Sequence, residues 1–169
     1  MMNCTRWIVA AALLLSSLTS CYRVPIQPAE LIDPILLGKW KGPSLVQAGN
    51  ELPKDIVVTL KKQSATTYEF TTDTGLVAKA QIAVVGQRKF LCVYSPQVSA
   101  TTPWAIFGYT VKKADLKRLE LRDQVHLQFL NTKTVSSSYV RPESLRASVQ
   151  KHINDPNLFG SDLIIYKRF

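Results

Sequence analysis

The stretch that decides the fold is GLVAKAQIAVVGQRKFLCVYS, residues 75–95. Its first half places Leu76, Ala78, Ala80, Ile82 and Val84 at every second position, so a strand built from it turns all five to one side. KFLCVYS (89–95) is a second strand-like run, and the polar break at Gln87-Arg88 lets the two pair as a hairpin.

The same signal repeats outward. DIVVTLKK (55–62) and TYEFTTD (67–73) precede the hairpin, separated by a short polar turn, and LLGKW (36–40) opens the series. After the loop QVSATTP (97–103) come WAIFGYTVKK (104–113) and then LKRLELRD (116–123) with QVHLQFLN (124–131), which read as a further hairpin. In the last of these Val125, Leu127 and Phe129 alternate with His126 and Gln128. SDLIIYKRF (161–169) reads as a final strand. Short strands spaced about 8–12 residues apart predict a mainly β chain: a small antiparallel barrel of eight strands, or a sandwich. One helix interrupts the series. PESLRASVQKHI (142–153) puts Leu145, Val149 and Ile153 on one helical face, with Pro142 and Glu143 suited to its first turn. NDPNLFG (154–160) ends it before the last strand.

The front of the chain follows other rules. Residues 1–20 hold one basic residue, Arg6, then the apolar run Trp7 to Leu15, then small residues, which is the layout of a cleaved secretory signal. A helix needs about 20 apolar residues to cross a bilayer, so this run is too short to be a spanning anchor. Leu18-Thr19-Ser20-Cys21 resembles the lipobox of bacterial lipoproteins. That resemblance implies cleavage before Cys21, a thioether from its sulfur to diacylglycerol, and an acyl chain on the freed amine. Several chains on one residue make attachment effectively permanent. Tyr22-Arg23 follow without an Asp, which under the sorting rule of enterobacterial lipoproteins favours the outer membrane, with the domain in the periplasm or at the cell surface. YRVPIQPAELIDPI (22–35) contains three prolines and reads as an extended spacer. The expected organisation is a signal over residues 1–20, a lipidated tether over 21–35 and one domain over 36–169.

Loss of residues 1–20 removes Arg6 and lowers the net charge from +9 to +8. A basic chain suits nucleic acid, anionic lipid or acidic polysaccharide; export leaves an anionic envelope component rather than nucleic acid, with anionic lipid headgroups the expected partner. The pairs Lys61-Lys62, Arg88-Lys89, Lys112-Lys113, Lys117-Arg118 and Lys167-Arg168 sit near predicted strand ends. They are either solvated turn edges or parts of a binding patch. Cys4 leaves with the signal and Cys21 takes the lipid, so Cys92 stands alone, without a disulfide or a Cys-based metal site. Its apolar surroundings in sequence predict a buried, inert thiol.

Gly38-Lys39-Trp40 resembles the G-x-W start of lipocalin-like barrels. The resemblance implies that Trp40 caps one barrel end against a basic residue of the last strand, Lys167 or Arg168. More broadly, Cys21, IDPILLGKW, the β-rich middle and SLRASVQKHINDPNLFG look like a group of small uncharacterised bacterial lipoproteins. That group shares a D-P-x-L-x-G-x-W start and a helix ending in D-P-x-L-F, matched here by Asp155-Pro156-Asn157-Leu158-Phe159. Val140-Arg141-Pro142 stands where the group has a Ser/Thr-rich helix start. The resemblance implies an architecture and a lipid attachment but no activity.

Catalytic signals are weak. His126 and His152 lie in no metal-binding spacing, no G-x-S-x-G is present, and the seven glycines are spread singly. Asp115, Glu120 and Asp123 neighbour Lys and Arg rather than forming an acid–base pair. The expectation is a non-enzymatic protein with no catalytic residue, metal or cofactor beyond the lipid on Cys21. Two readings follow. One is an interaction or structural module, a filled barrel held at the membrane. The other is a carrier of a small hydrophobic ligand, with Phe107, Tyr109 and Phe129 lining its interior.

Overall fold

The computed structural model describes residues 21–27, 29–44, 54–97, 99–101 and 103–169; the expected signal segment 1–20 lies outside them. The chain is mainly β. In order it forms β1 (Cys21–Tyr22), β2 (Gly38–Pro43), β3 (Asp55–Lys62), β4 (Tyr68–Thr72), β5 (Val77–Val85), β6 (Arg88–Tyr94), β7 (Trp104–Lys112), β8 (Gln124–Phe129), one α-helix α1 (Pro142–Lys151), and β9 (Ile164–Arg168). Strands β2 to β9 pair antiparallel with their neighbours, and β9 returns to pair with β2, closing an eight-stranded barrel. Closure leaves no free edge among these eight strands. β1 is an extra strand beside the start of β7.

Alternation sorts the side chains as the sequence predicts. On β5, Ala78, Ala80 and Ile82 are buried in the barrel interior, and Leu76 and Val84 pack against the same core. Gly86, with φ +59, makes the tight turn into β6. The opposite faces of the same two strands are apolar as well, since Ala83, Val85, Phe90 and Cys92 are fully buried in a second core outside the barrel wall. That core is roofed by α1 through Leu145 and Val149, by Leu158, and by Tyr22 and Ile26 of the N-terminal segment. Ile153, the third residue of the predicted helical face, packs at its border. Arg146 ties the helix down, donating to the Val84 carbonyl at 2.7 Å and to the Gln27 carbonyl at 3.2 Å.

Two features differ from the sequence reading. LKRLELRD is not a barrel strand; residues 116–118 form a 3-10 turn and β8 pairs with β7 instead. The connection is held by its own contacts: Asp115 and Glu120 exchange backbone hydrogen bonds, and Asp123 accepts from the Ala114 amide at 2.9 Å. Leu119 takes φ +58 there and, like Leu121, stays exposed, so the apolar pattern had no strand to follow. Secondly, residues 21–27 are extended but not loose. Tyr22 and Ile26 are both 0% exposed, and the Tyr22 hydroxyl lies 3.3 and 3.2 Å from the Leu130 and Val135 carbonyls, to which it donates.

Candidate functional site

One barrel end is sealed by the chain that leads into β2. Asp33 begins a 3-10 turn over Pro34–Leu36, its Oδ1 accepting from the Ile35 amide at 3.2 Å. Trp40 is 2% exposed and its Nε1 donates to the Leu36 carbonyl at 2.8 Å. Arg168 is the cross-strand partner of Trp40 and lays its guanidinium 4.1 Å from the indole centroid. Arg168 also donates to the Leu37 and Ile35 carbonyls and pairs with Asp123 at 3.6 Å. Of the two basic candidates on the last strand, Arg168 turns inward to Trp40 and Lys167 turns out to solvent. Gly38 permits this packing, because any Cβ there would meet Arg168 Nη1 at 2.8 Å and its φ is +118.

Asp33 is the hub of this end. The Tyr68 hydroxyl accepts from the Asp33 amide at 2.6 Å and donates to the Asp33 carbonyl at 3.0 Å. Asp33 Oδ2 pairs with Lys89 at 2.9 Å and accepts from the Tyr109 hydroxyl at 3.5 Å. Burial raises the pKa of both phenols, and the Asp33 charge adds to the rise at Tyr109. Three strands, β4, β6 and β7, are thereby stitched to one residue of the plug. The D-P that begins the D-P-x-L-x-G-x-W motif therefore has a mechanical meaning.

The interior holds little empty space. Phe107, Tyr109 and Phe129 all face it, Phe107 and Phe129 with centroids 4.4 Å apart. The cavity beside them measures about 30 Å³ and is lined by other residues, among them Leu36, Val58, Leu60, Phe70 and Leu127. A space that small has about the volume of one water, and its apolar walls give a water nothing to bond.

The larger concavity lies at the sealed end and spills onto the outer wall. A groove of about 610 Å³ runs from Asp33, Lys89 and Tyr109 at the barrel rim over β6, β7 and β8 to Arg88, Thr110, His126 and Phe159, so Tyr109, unlike Phe107 and Phe129, is part of its lining. A neighbouring depression of about 560 Å³ shares Arg88, Gln128 and Phe159 with it. Phe159 is the ridge between them. It lies on Gly108 of β7 so closely that no side chain fits there, and its ring is 5.9 Å from Phe90. The D-P-x-L-F segment seats it: Asp155 accepts from the Asn157 amide at 2.8 Å, Leu158 is fully buried, and the Gly160 amide donates to the Phe129 carbonyl.

Arg88 packs its guanidinium 5.4 Å from the centre of the Phe159 ring. Lys89 is neutralised by Asp33, but Arg88 has no carboxylate partner among the described residues. His126 bonds to Gln124 at 3.0 Å; burial and the nearby Lys112 charge hold its pKa below the ordinary histidine value, against the pull of Glu120. Beside the imidazole, basic residues scattered in sequence fall into one row across four strands: Lys41 opposite Lys167, Lys167 opposite Gln124, Gln124 opposite Lys112. Like charges directly opposite each other on a sheet are destabilising. Of the row's lysines, Lys41 is partnered by Asp55 at 3.8 Å.

The remaining residues singled out in the sequence take these places. Cys21 is partly buried on β1, at the opposite end of the barrel from the plug. Cys92 is fully buried in the second core, and burial pushes its pKa up to about 12. His152 lies 3.6 Å from Asp155 and far along the chain from His126. No cluster of three potential metal ligands occurs among the described residues. The sequence reading missed Asp33, Tyr68 and Phe159 as organising residues, although two lie in the D-P motifs it noted. Comparison with protein-family models, curated protein sequences and solved structures returned no significant match.

Proposed function

We propose that this protein is a membrane-anchored lipoprotein of the bacterial cell envelope, attached through Cys21, and that it works as a non-enzymatic interaction module. Its partner is an anionic envelope component, and its place is the outer membrane. The observation that carries the reading is the contrast in space. The interior is filled down to about 30 Å³, whereas the rim of the sealed end and the wall outside it offer an open groove of about 610 Å³. Contacts with other molecules then fall to the outer wall. There Arg88, held against Phe159 and without a carboxylate partner among the described residues, can donate to carboxylate or phosphate. The lysine row beside it adds long-range attraction for the same sign of charge.

The test has two arms. Cys21→Ser should move the protein from the membrane to the soluble fraction; retention on membranes would remove the anchor. Titration of the folded protein with an acidic envelope polysaccharide should give salt-dependent binding that Arg88→Gln weakens about tenfold, the loss of a charge-assisted hydrogen bond. Equal binding by the variant would take the groove out of the interface. Native mass spectrometry should show the bare polypeptide mass of the domain, and a co-purifying apolar molecule would move the function into the barrel.

A further inference from the structure

Residue Cys21 leaves no slack between anchor and domain. The next residue, Tyr22, is 0% exposed, pairs with Trp104 of β7, and has its hydroxyl within hydrogen-bond reach of two carbonyls of the β8–α1 connection. Ile26, four residues on, is equally buried. A loose spacer of fifteen residues would let a domain wander about 20 Å from its attachment point. Here the attachment point is itself a strand residue of the domain, opposite Ala105.

We infer that the domain lies directly on the bilayer, its barrel standing on the end where β7 begins and its sealed end turned away. The inference rests on the lipid-anchor reading and adds an orientation to it. Acyl chains carried on the sulfur and amine of Cys21 hold that residue at the level of the lipid headgroups. The barrel rim paired to it has to lie at the same level. The side chains found there suit a headgroup layer. Trp104 and Tyr94 form a half-buried aromatic pair with centroids 5.0 Å apart, and Arg23, which follows Trp104's strand partner Tyr22 in the chain, is exposed. Amphipathic rings and a cation are what membrane interfaces select. The occupant of this face is the lipid headgroup surface of the bilayer that carries the anchor. In the opposite direction, Thr110 of the groove is five residues along β7 from Ala105, about 16 Å along the strand and, with the tilt of barrel strands, about 12 Å along the barrel axis. Arg88 and Phe159 are thus presented to the space beyond the membrane rather than to its lipids.

The mature chain carries two natural reporters, Trp40 in the sealed end and Trp104 at the rim. The lipidated protein in phosphatidylcholine vesicles doped with lipid spin-labelled near the headgroup should lose the Trp104 share of its emission. Trp104→Phe should abolish that loss, because Trp40 stays out of reach. A flexible Gly-Ser insert of about ten residues between Cys21 and Tyr22 should keep the protein on vesicles and abolish the quenching. Neutron reflectometry of the unaltered lipidated protein should find protein density beginning at the headgroups without a water gap. Bound protein with unquenched tryptophan and a water gap would overturn the orientation and leave the anchor standing. Quenching that survives the insert would also overturn it. Protein that does not bind vesicles at all would remove anchor and orientation together.

Discussion

The two apolar cores of this protein lie on opposite faces of β5, β6 and β7 but are built on different logic. The interior core is filled by alternate residues of neighbouring strands, each paired with the strand before or after it in sequence. The outer core draws on segments that are far apart: Tyr22 and Ile26, Ala83 to Cys92, Ile106, Leu130 and Val135, Leu145 and Val149, Leu158. The interior is enclosed by a continuous hydrogen-bonded wall. The outer core is closed by one ten-residue helix and by irregular chain. Enclosure by a closed ladder should make the first the more cooperative unit, while the roof of the second should open at lower free energy.

The strongest way to break that comparison is to empty each core in turn. Phe107→Ala inside and Phe90→Ala outside should each cost about 3–5 kcal/mol by urea unfolding. Their hydrogen-exchange patterns should differ. Phe90→Ala should speed exchange in α1 and residues 21–27 while β3 and β4 keep their protection, whereas Phe107→Ala should speed exchange throughout. Identical patterns would mean a single cooperative core.

Gly108→Ala probes the border between the wall and its roof. The added methyl meets the Phe159 ring, so a loss of about 1–3 kcal/mol is expected. Most of that loss should return in combination with Phe159→Leu, and a double variant that is merely additive would show that Phe159 is not what occupies the space.

The smallest effect is one of pH. Burial raises the Cys92 thiol from 9.0 to about 12, so the folded state prefers the protonated form. Its contribution is complete below pH 9 and is lost as pH rises from 9 towards 12, at about 1 kcal/mol per pH unit. The buried phenols Tyr22, Tyr68, Tyr109 and Tyr166, also raised by burial, add to the loss at higher pH. Thermal melts between pH 8 and 10 should therefore show a falling midpoint that flattens in Cys92→Ala. An equal slope in the variant would mean that the thiol titrates without resistance from the outer core.

Much of the barrel is legible in the sequence alone, and for a local reason. Alternation in residues 76–84 and 125–129 assigns faces whichever partner a strand takes, because period two is a property of the extended chain alone. The helix was readable likewise from Leu145, Val149 and Ile153. The stretch 116–123 misled because its apolar residues satisfy a strand pattern, while the ring closed without it and the chain folded back on Asp115, Glu120 and Asp123. The groove was not legible. Arg88, Gly108, His126 and Phe159 come from three strands and a loop, and only the register of β6 to β8 sets them side by side.

The sequence by itself determined which residues face inward, where the helix lies, and the resemblance of the first twenty-one residues to an export and lipidation signal. These depend on periodicity, turn chemistry and short motifs, all read within a few residues. Only the tertiary structure decided that residues 21–27 are locked onto the barrel, that Asp33 and Arg168 seal one end, and that scattered lysines form a row. Such features arise from pairings between residues a hundred or more apart, like Tyr22 with Leu130 and Trp40 with Arg168, whose partners are chosen by the closing of the barrel.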